Sequence, residues 1–92
     1  MTPVVQDNPA QQRFEIQSNG ATAFIAYHRE GDGLSLDHTE VPSSLAGKGI
    51  GSALVKGALD QLRDRGVKVL AHCAFVAAYI DKHPEYRSLL QS

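Results

Sequence analysis

A chain of 92 residues has room for one domain around one hydrophobic core, because cores divide only in chains several times longer. Nine Lys plus Arg against ten Asp plus Glu leave a formal net charge of -1 with no run of either sign, which argues against a nucleic-acid partner. Cys73 is the only cysteine, so an internal disulfide is excluded, and no Cys/His spacing matches a structural zinc site.

No apolar run nears the roughly 20 residues that cross a bilayer, so the reading is a soluble protein without membrane contact, and cysteine usage fits a reducing, cytoplasmic setting. Residues 1–12 include Pro3, Pro9, Asp7, Asn8 and three glutamines and carry no Lys or Arg, which does not fit a signal peptide. Their lack of periodicity predicts a flexible N-terminal tail at 1–12 ahead of a folded domain at 13–92. A core this small is compatible with a homodimer.

Phe14, Ile16 and Ser18 alternate with Glu15 and Gln17, the period-two pattern of a half-buried strand. Asn19 and Gly20 then give a hairpin signal, and the apolar run Phe24, Ile25, Ala26 and Tyr27 reads as a second strand over 21–28. After a turn at Gly31, Asp32 and Gly33, a third strand carries Leu34, Leu36, His38 and Val41 and ends at Pro42. These three segments form an antiparallel meander.

The period changes at 49–65. Ile50, Leu54, Ala58 and Leu62 fall four apart, Val55 and Leu59 widen the same face, and Lys56, Asp60, Arg63 and Asp64 lie opposite, which predicts a long helix. Gly66 caps it, with Arg63 and Arg65 near the negative end of the helix dipole. Residues 67–72 read as a fourth strand in the interior and 75–83 as a shorter helix, with Pro84 either ending that helix or opening a third.

Gly47, Gly49 and Gly51 alternate across the start of the long helix. Glycine permits positive φ and close backbone approach, while the first helical N–H groups lack partners and sit at the positive end of the dipole, so a pyrophosphate is the natural occupant. The spacing is not a dinucleotide fingerprint, and no Gly-Lys-Ser/Thr sequence of a nucleotide-triphosphatase loop is present. Phosphate binding without phosphoryl transfer remains.

The meander, Val41-Pro42 and Gly47-Lys48-Gly49-Ile50-Gly51 at a helix start resemble the acetyl-coenzyme-A motif of the GNAT superfamily of N-acetyltransferases. His38-Thr39-Glu40-Val41-Pro42, Cys73-Ala74-Phe75-Val76-Ala77-Ala78-Tyr79 and His83-Pro84-Glu85-Tyr86 further resemble its small single-domain family of predicted acetyltransferases. The resemblance spans about residues 14–90. It implies a minimal GNAT-like α+β fold: the three-strand meander plus a fourth strand, one long helix and one or two short ones.

It also implies acetyl-CoA as cosubstrate, with Val41, Gly47, Lys48, Gly49, Ile50 and Gly51 lining its site and the pantetheine arm between the diverging third and fourth strands. Members usually carry Gln or Arg where this chain has Ala46; Lys48 could compensate or simply face solvent. The small family lacks the N-terminal helices that shape the acceptor pocket in larger members. The amine acceptor, small molecule or protein, is therefore left open, and a non-catalytic module binding CoA or acyl-CoA is the alternative.

Four residues are candidates for chemistry. Cys73, between a strand and a helix start, is placed for thiolate stabilisation by helix N–H groups, or else it packs. His38 and Glu40, two apart, share a strand face near the expected thioester and could take the acceptor's proton, or simply be solvated. Tyr79 loosely matches a superfamily tyrosine that protonates the leaving thiolate, or joins an apolar face with Phe75 and Tyr86. His72, next to Cys73, should point away from it.

Overall fold

Two periodicities, two along the first part of the chain and 3.6 along the second, build the two layers of the protein. The computed structural model describes residues 4–18, 20–47 and 49–90. Asn19 of the expected hairpin turn and Lys48 of the glycine turn lie outside the described residues. The chain runs β1 (Gln6–Asn8), β2 (Arg13–Ser18), β3 (Ala21–Glu30), β4 (Gly33–Glu40), α1 (Ile50–Arg65), β5 (Val69–Ala71) and α2 (Ala74–Lys82). Short 3-10 helices at Ser43–Leu45 and Pro84–Leu89 complete it, so Pro84 opens a helix.

The sheet has the order β1-β2-β3-β4-β5, antiparallel except for the parallel β4/β5 pair. A parallel pair needs a crossover, and α1 supplies it. Both helices cover one face. Phe14, Ile16, Ala23, Ile25 and Leu36 from the strands meet Leu54, Val55, Leu59 and Leu62 of α1 and Val76 and Ile80 of α2 in a single buried cluster. Each of these larger side chains contributes about 1.5–3 kcal/mol by leaving water. Gly66, at φ 71, closes α1 in the left-handed conformation while Val67 N–H bonds Leu62 O at 2.9 Å.

The α+β architecture is the expected one, with two corrections. Residues 5–8 are not tail: Val5 is buried over Gly57 of α1, and β1 pairs with β2 along Gln6↔Glu15 to Asn8↔Arg13. Gln61 Nε2 donates to Val5 O at 2.7 Å, and Asp7 accepts from Tyr27 Oη at 2.6 Å and Arg65 at 2.8 Å. A lone buried valine has no period to reveal it. The strand expected in the interior at 67–72 is shorter and lies at the sheet's edge, where its outer side meets Leu90 through a bridge to Val69.

Among the described residues no helix is long and apolar enough to cross a membrane, and no group of three His, Cys, Asp or Glu is placed to hold a metal ion.

Candidate functional site

β4 leads through Val41 and Pro42 into the 3-10 turn at Ser43–Leu45, whose Leu45 is fully buried and anchors the loop. Gly47 and Gly49 then take φ values of 77° and 72°, with open space where a side chain would stand. Backbone conformation therefore requires glycine at both positions, since left-handed φ costs other residues about 1–2 kcal/mol. Gly49 is the N-cap of α1; no side chain caps the helix and no acidic residue stands in its first turn. Among the described residues the N–H groups of Ile50, Gly51 and Ser52 meet no acceptor, which leaves them open to one from outside.

Gly51 has a different reason. A Cβ there would lie 2.7 Å from Phe75 Cζ, so its bare backbone admits the aromatic ring of α2. Phe75 is 43% exposed and, with Val41, Ala46, Gly49 and Ser52, lines a concavity in front of the helix start. A pyrophosphate fits this donor set: uncapped N–H groups, two left-handed glycines and no carboxylate to repel it. By helical spacing alone Phe75 belongs to an apolar helix face. Its signal is Gly51, but the contact joins two elements far apart in sequence.

The reacting end lies where β4 and β5 part. They pair from Leu34↔Val69 to Leu36↔Ala71, and Cys73 N–H still donates to Leu36 O at 2.9 Å. Beyond that point β4 continues to Glu40 while the chain turns into α2 with Cys73 as N-cap. The Cys73 side chain is buried and its Sγ is 3.2 Å from Thr39 Oγ1. Burial pushes the thiol up, but the Thr39 hydroxyl and the backbone N–H groups of Val76, Phe75 and Thr39 outweigh it, so the thiol is more acidic than usual.

His38 and Glu40 share a face, 3.6 Å apart, but not the face of Cys73. The β3/β4 register slips by one residue: Tyr27 pairs with Leu36 and Ala26 with His38, leaving Asp37 as a bulge. Past the bulge Thr39 pairs with the fully buried Ile25 and takes the helix-covered side, while His38 and Glu40 oppose Ala26 and Phe24 on the other. Uninterrupted alternation from Leu34 and Leu36 would have carried His38 and Glu40 to the helix side. Thr39, which reading the sequence as a regular strand overlooks, stands there instead.

Tyr79 stacks on His83 with ring centroids 4.1 Å apart and lines a second concavity with Lys82, which shares Ser52 and Phe75 with the first. Burial, against an opposing Lys56 and with Asp60 and Glu85 in support, raises its phenol pKa. The expected apolar face of α2 is only partly so, because Tyr86 is buried with its Oη on Asp60 at 2.6 Å while Phe75 is open. His72 is 3.8 Å from Glu30 and exposed.

A mixed sheet whose parallel strands part beside a helix opened by a glycine cradle defines an N-acetyltransferase-type domain. The family model described as GCN5-related N-acetyl-transferase matches residues 13–89, and the chain belongs to that family. Among its relatives, Protein NATD1 of Mus musculus is 30% identical over 92 residues, covering 95% of this chain and 84% of the relative. Protein NATD1 of Homo sapiens is likewise 30% identical, with coverage of 95% and 81%. The solution NMR structure of a GCN5-like putative N-acetyltransferase from Staphylococcus aureus superposes with a TM-score of 0.72 at 26% identity, covering 99% of this chain and 90% of that one.

Proposed function

We propose that the protein binds acetyl-CoA and transfers its acetyl group to an amine, with Cys73 as the acyl-accepting nucleophile. The pyrophosphate would lie against the N–H groups from Gly47 and Gly49 to Ser52, and the pantetheine arm would pass Val41 toward the gap between β4 and β5. Family membership supports the cosubstrate, and the uncapped, acid-free start of α1 supports its placement.

The observation that carries the transfer is the Thr39–Cys73 pair at that gap. The Cys73 thiolate, favoured by the Thr39 hydroxyl and the first N–H groups of α2, attacks the thioester carbonyl, and the carbon–sulfur bond to the coenzyme breaks. The departing coenzyme thiolate takes up a proton. The acceptor amine then attacks acetyl-Cys73, the bond from the acetyl carbon to the Cys73 sulfur breaks, the amine loses its proton to solvent and the Cys73 thiolate is regenerated.

Calorimetry with acetyl-CoA, CoA and ATP, followed by intact-protein mass spectrometry after incubation with acetyl-CoA, tests this. Saturable binding of both coenzyme forms, with an acetyl adduct that Cys73→Ala abolishes, is expected. Coenzyme binding with no adduct and undiminished amine acetylation by Cys73→Ala would leave direct attack by the amine. No response to either coenzyme form would remove the proposal.

A further inference from the structure

Asp37, the bulged residue of β4, is held on both carboxylate oxygens. Ser35 Oγ donates to Oδ1 at 2.5 Å, and His28 Nδ1 lies 2.6 Å from Oδ2. Ser35 and His28 are register partners across β3 and β4, and Ser35 is fully buried. The three side chains therefore form a brace across both strands at the residue where the ladder slips. Beyond the brace, strand faces are exchanged, and that exchange is what sets Thr39 against Cys73.

We infer that Asp37 is a positioning residue: braced by Ser35 and His28, it fixes the bulge that delivers the Thr39 hydroxyl to the Cys73 sulfur. An extra residue in one strand has no ladder partner of its own, and at Asp37 two side-chain contacts hold it in place. A surface ion pair alone holds little, but here a buried hydroxyl and a cross-strand imidazole converge on one carboxylate.

The charges around the brace agree. Asp37 is pushed up by burial, but the Ser35 hydroxyl and His28 bring it below the ordinary carboxylate range. The hydrogen bond to Asp37 raises His28 despite opposing desolvation, with Glu30 of the same strand adding to the effect. His72, after β5, faces Glu30 at 3.8 Å and contributes positive charge toward Asp37.

The readout is the pH profile of Cys73 alkylation by iodoacetamide, which needs no substrate and is independent of the proposed reaction. Thr39→Val should raise the midpoint by about one pH unit, the size of one lost hydrogen bond to a thiolate. Asp37→Ala should raise it comparably, and the Asp37→Ala/Thr39→Val double variant should rise no further than either alone, because both remove the same contact.

Asp37→Asn, whose Oδ1 can still accept from the Ser35 hydroxyl while its Nδ2 donates to the unprotonated Nδ1 of His28, should retain most of the wild-type profile. Ser35→Ala is the second variant should Asp37→Ala fail to fold, with the same expected rise. A wild-type profile in folded Asp37→Ala or Ser35→Ala, or additive shifts in the double variant, would overturn the inference.

Discussion

Replacing Gly51 by alanine separates packing from binding in a single variant. In a helix alanine is favoured over glycine by up to about 1 kcal/mol, less in the first turn. Against this gain stands the new methyl, 2.7 Å from Phe75 Cζ and 3.4 Å from both Cε atoms, which forces the ring back by roughly 1 Å to reach ordinary carbon–carbon separation. The ring is 43% exposed and the colliding atom is its far end, so the shift is easily absorbed. Gly51→Ala should therefore change thermal stability by no more than about 0.5 kcal/mol, or roughly 4 °C in a domain of this size. Coenzyme affinity should nevertheless fall by about tenfold, the equivalent of 1.4 kcal/mol, because the displaced ring and the methyl enter the groove beside the helix start. Thermal unfolding and calorimetry with CoA measure the two quantities on one sample. A melting temperature lowered by more than about 8 °C would show Phe75 to be fixed in the core, and unchanged CoA affinity would remove the groove from the coenzyme path.

Gly57→Ala, the same change two turns along α1, should behave oppositely, because its methyl would meet the Val5 side chain, including Cβ at 2.7 Å. Loss of Val5 burial, about 1.5–3 kcal/mol, outweighs a helix gain near 1 kcal/mol, so a net destabilisation of about 1 kcal/mol and faster amide exchange at Gln6–Asn8 are expected in hydrogen-exchange measurements. Tyr27 is pushed up to about 12 by burial and by its hydrogen bond to Asp7. A folded pKa above the unfolded one stabilises below the unfolded value near 10, so this contribution should disappear as pH rises from about 10 to 12. Denaturant unfolding across that interval should show the slope, and Tyr27→Phe should flatten it. His38→Ala and Glu40→Ala, on the sheet face away from Cys73, should leave the alkylation profile of Cys73 at its wild-type midpoint.

Much of this architecture is legible in the sequence because it is local. The four-residue spacing of Ile50, Leu54, Ala58 and Leu62 specifies the buried stripe of α1, and Gly66 its end. Gly47 and Gly49 announce left-handed backbone before a helix, and both adopt it. What escapes sequence reading depends on pairing between distant segments. Val5 docks only because Gly57 leaves room, and Phe75 reaches the helix start only because Gly51 has no side chain. The bulge at Asp37 leaves the apolar pattern intact through Leu36 and then exchanges the faces, so Thr39 and not His38 or Glu40 joins Cys73. A period-two rule applied along one strand has no means of detecting a slip defined by the neighbouring strand.

The most direct test is an amide chemical-shift titration with CoA. Saturable shifts concentrated at Gly47, Gly49, Ile50, Gly51 and Ser52, and extending to Val41 and Phe75, are expected. Shifts absent from the start of α1, or gathered at the opposite end of the sheet around Tyr27 and Arg29, would contradict coenzyme binding at the glycine turn.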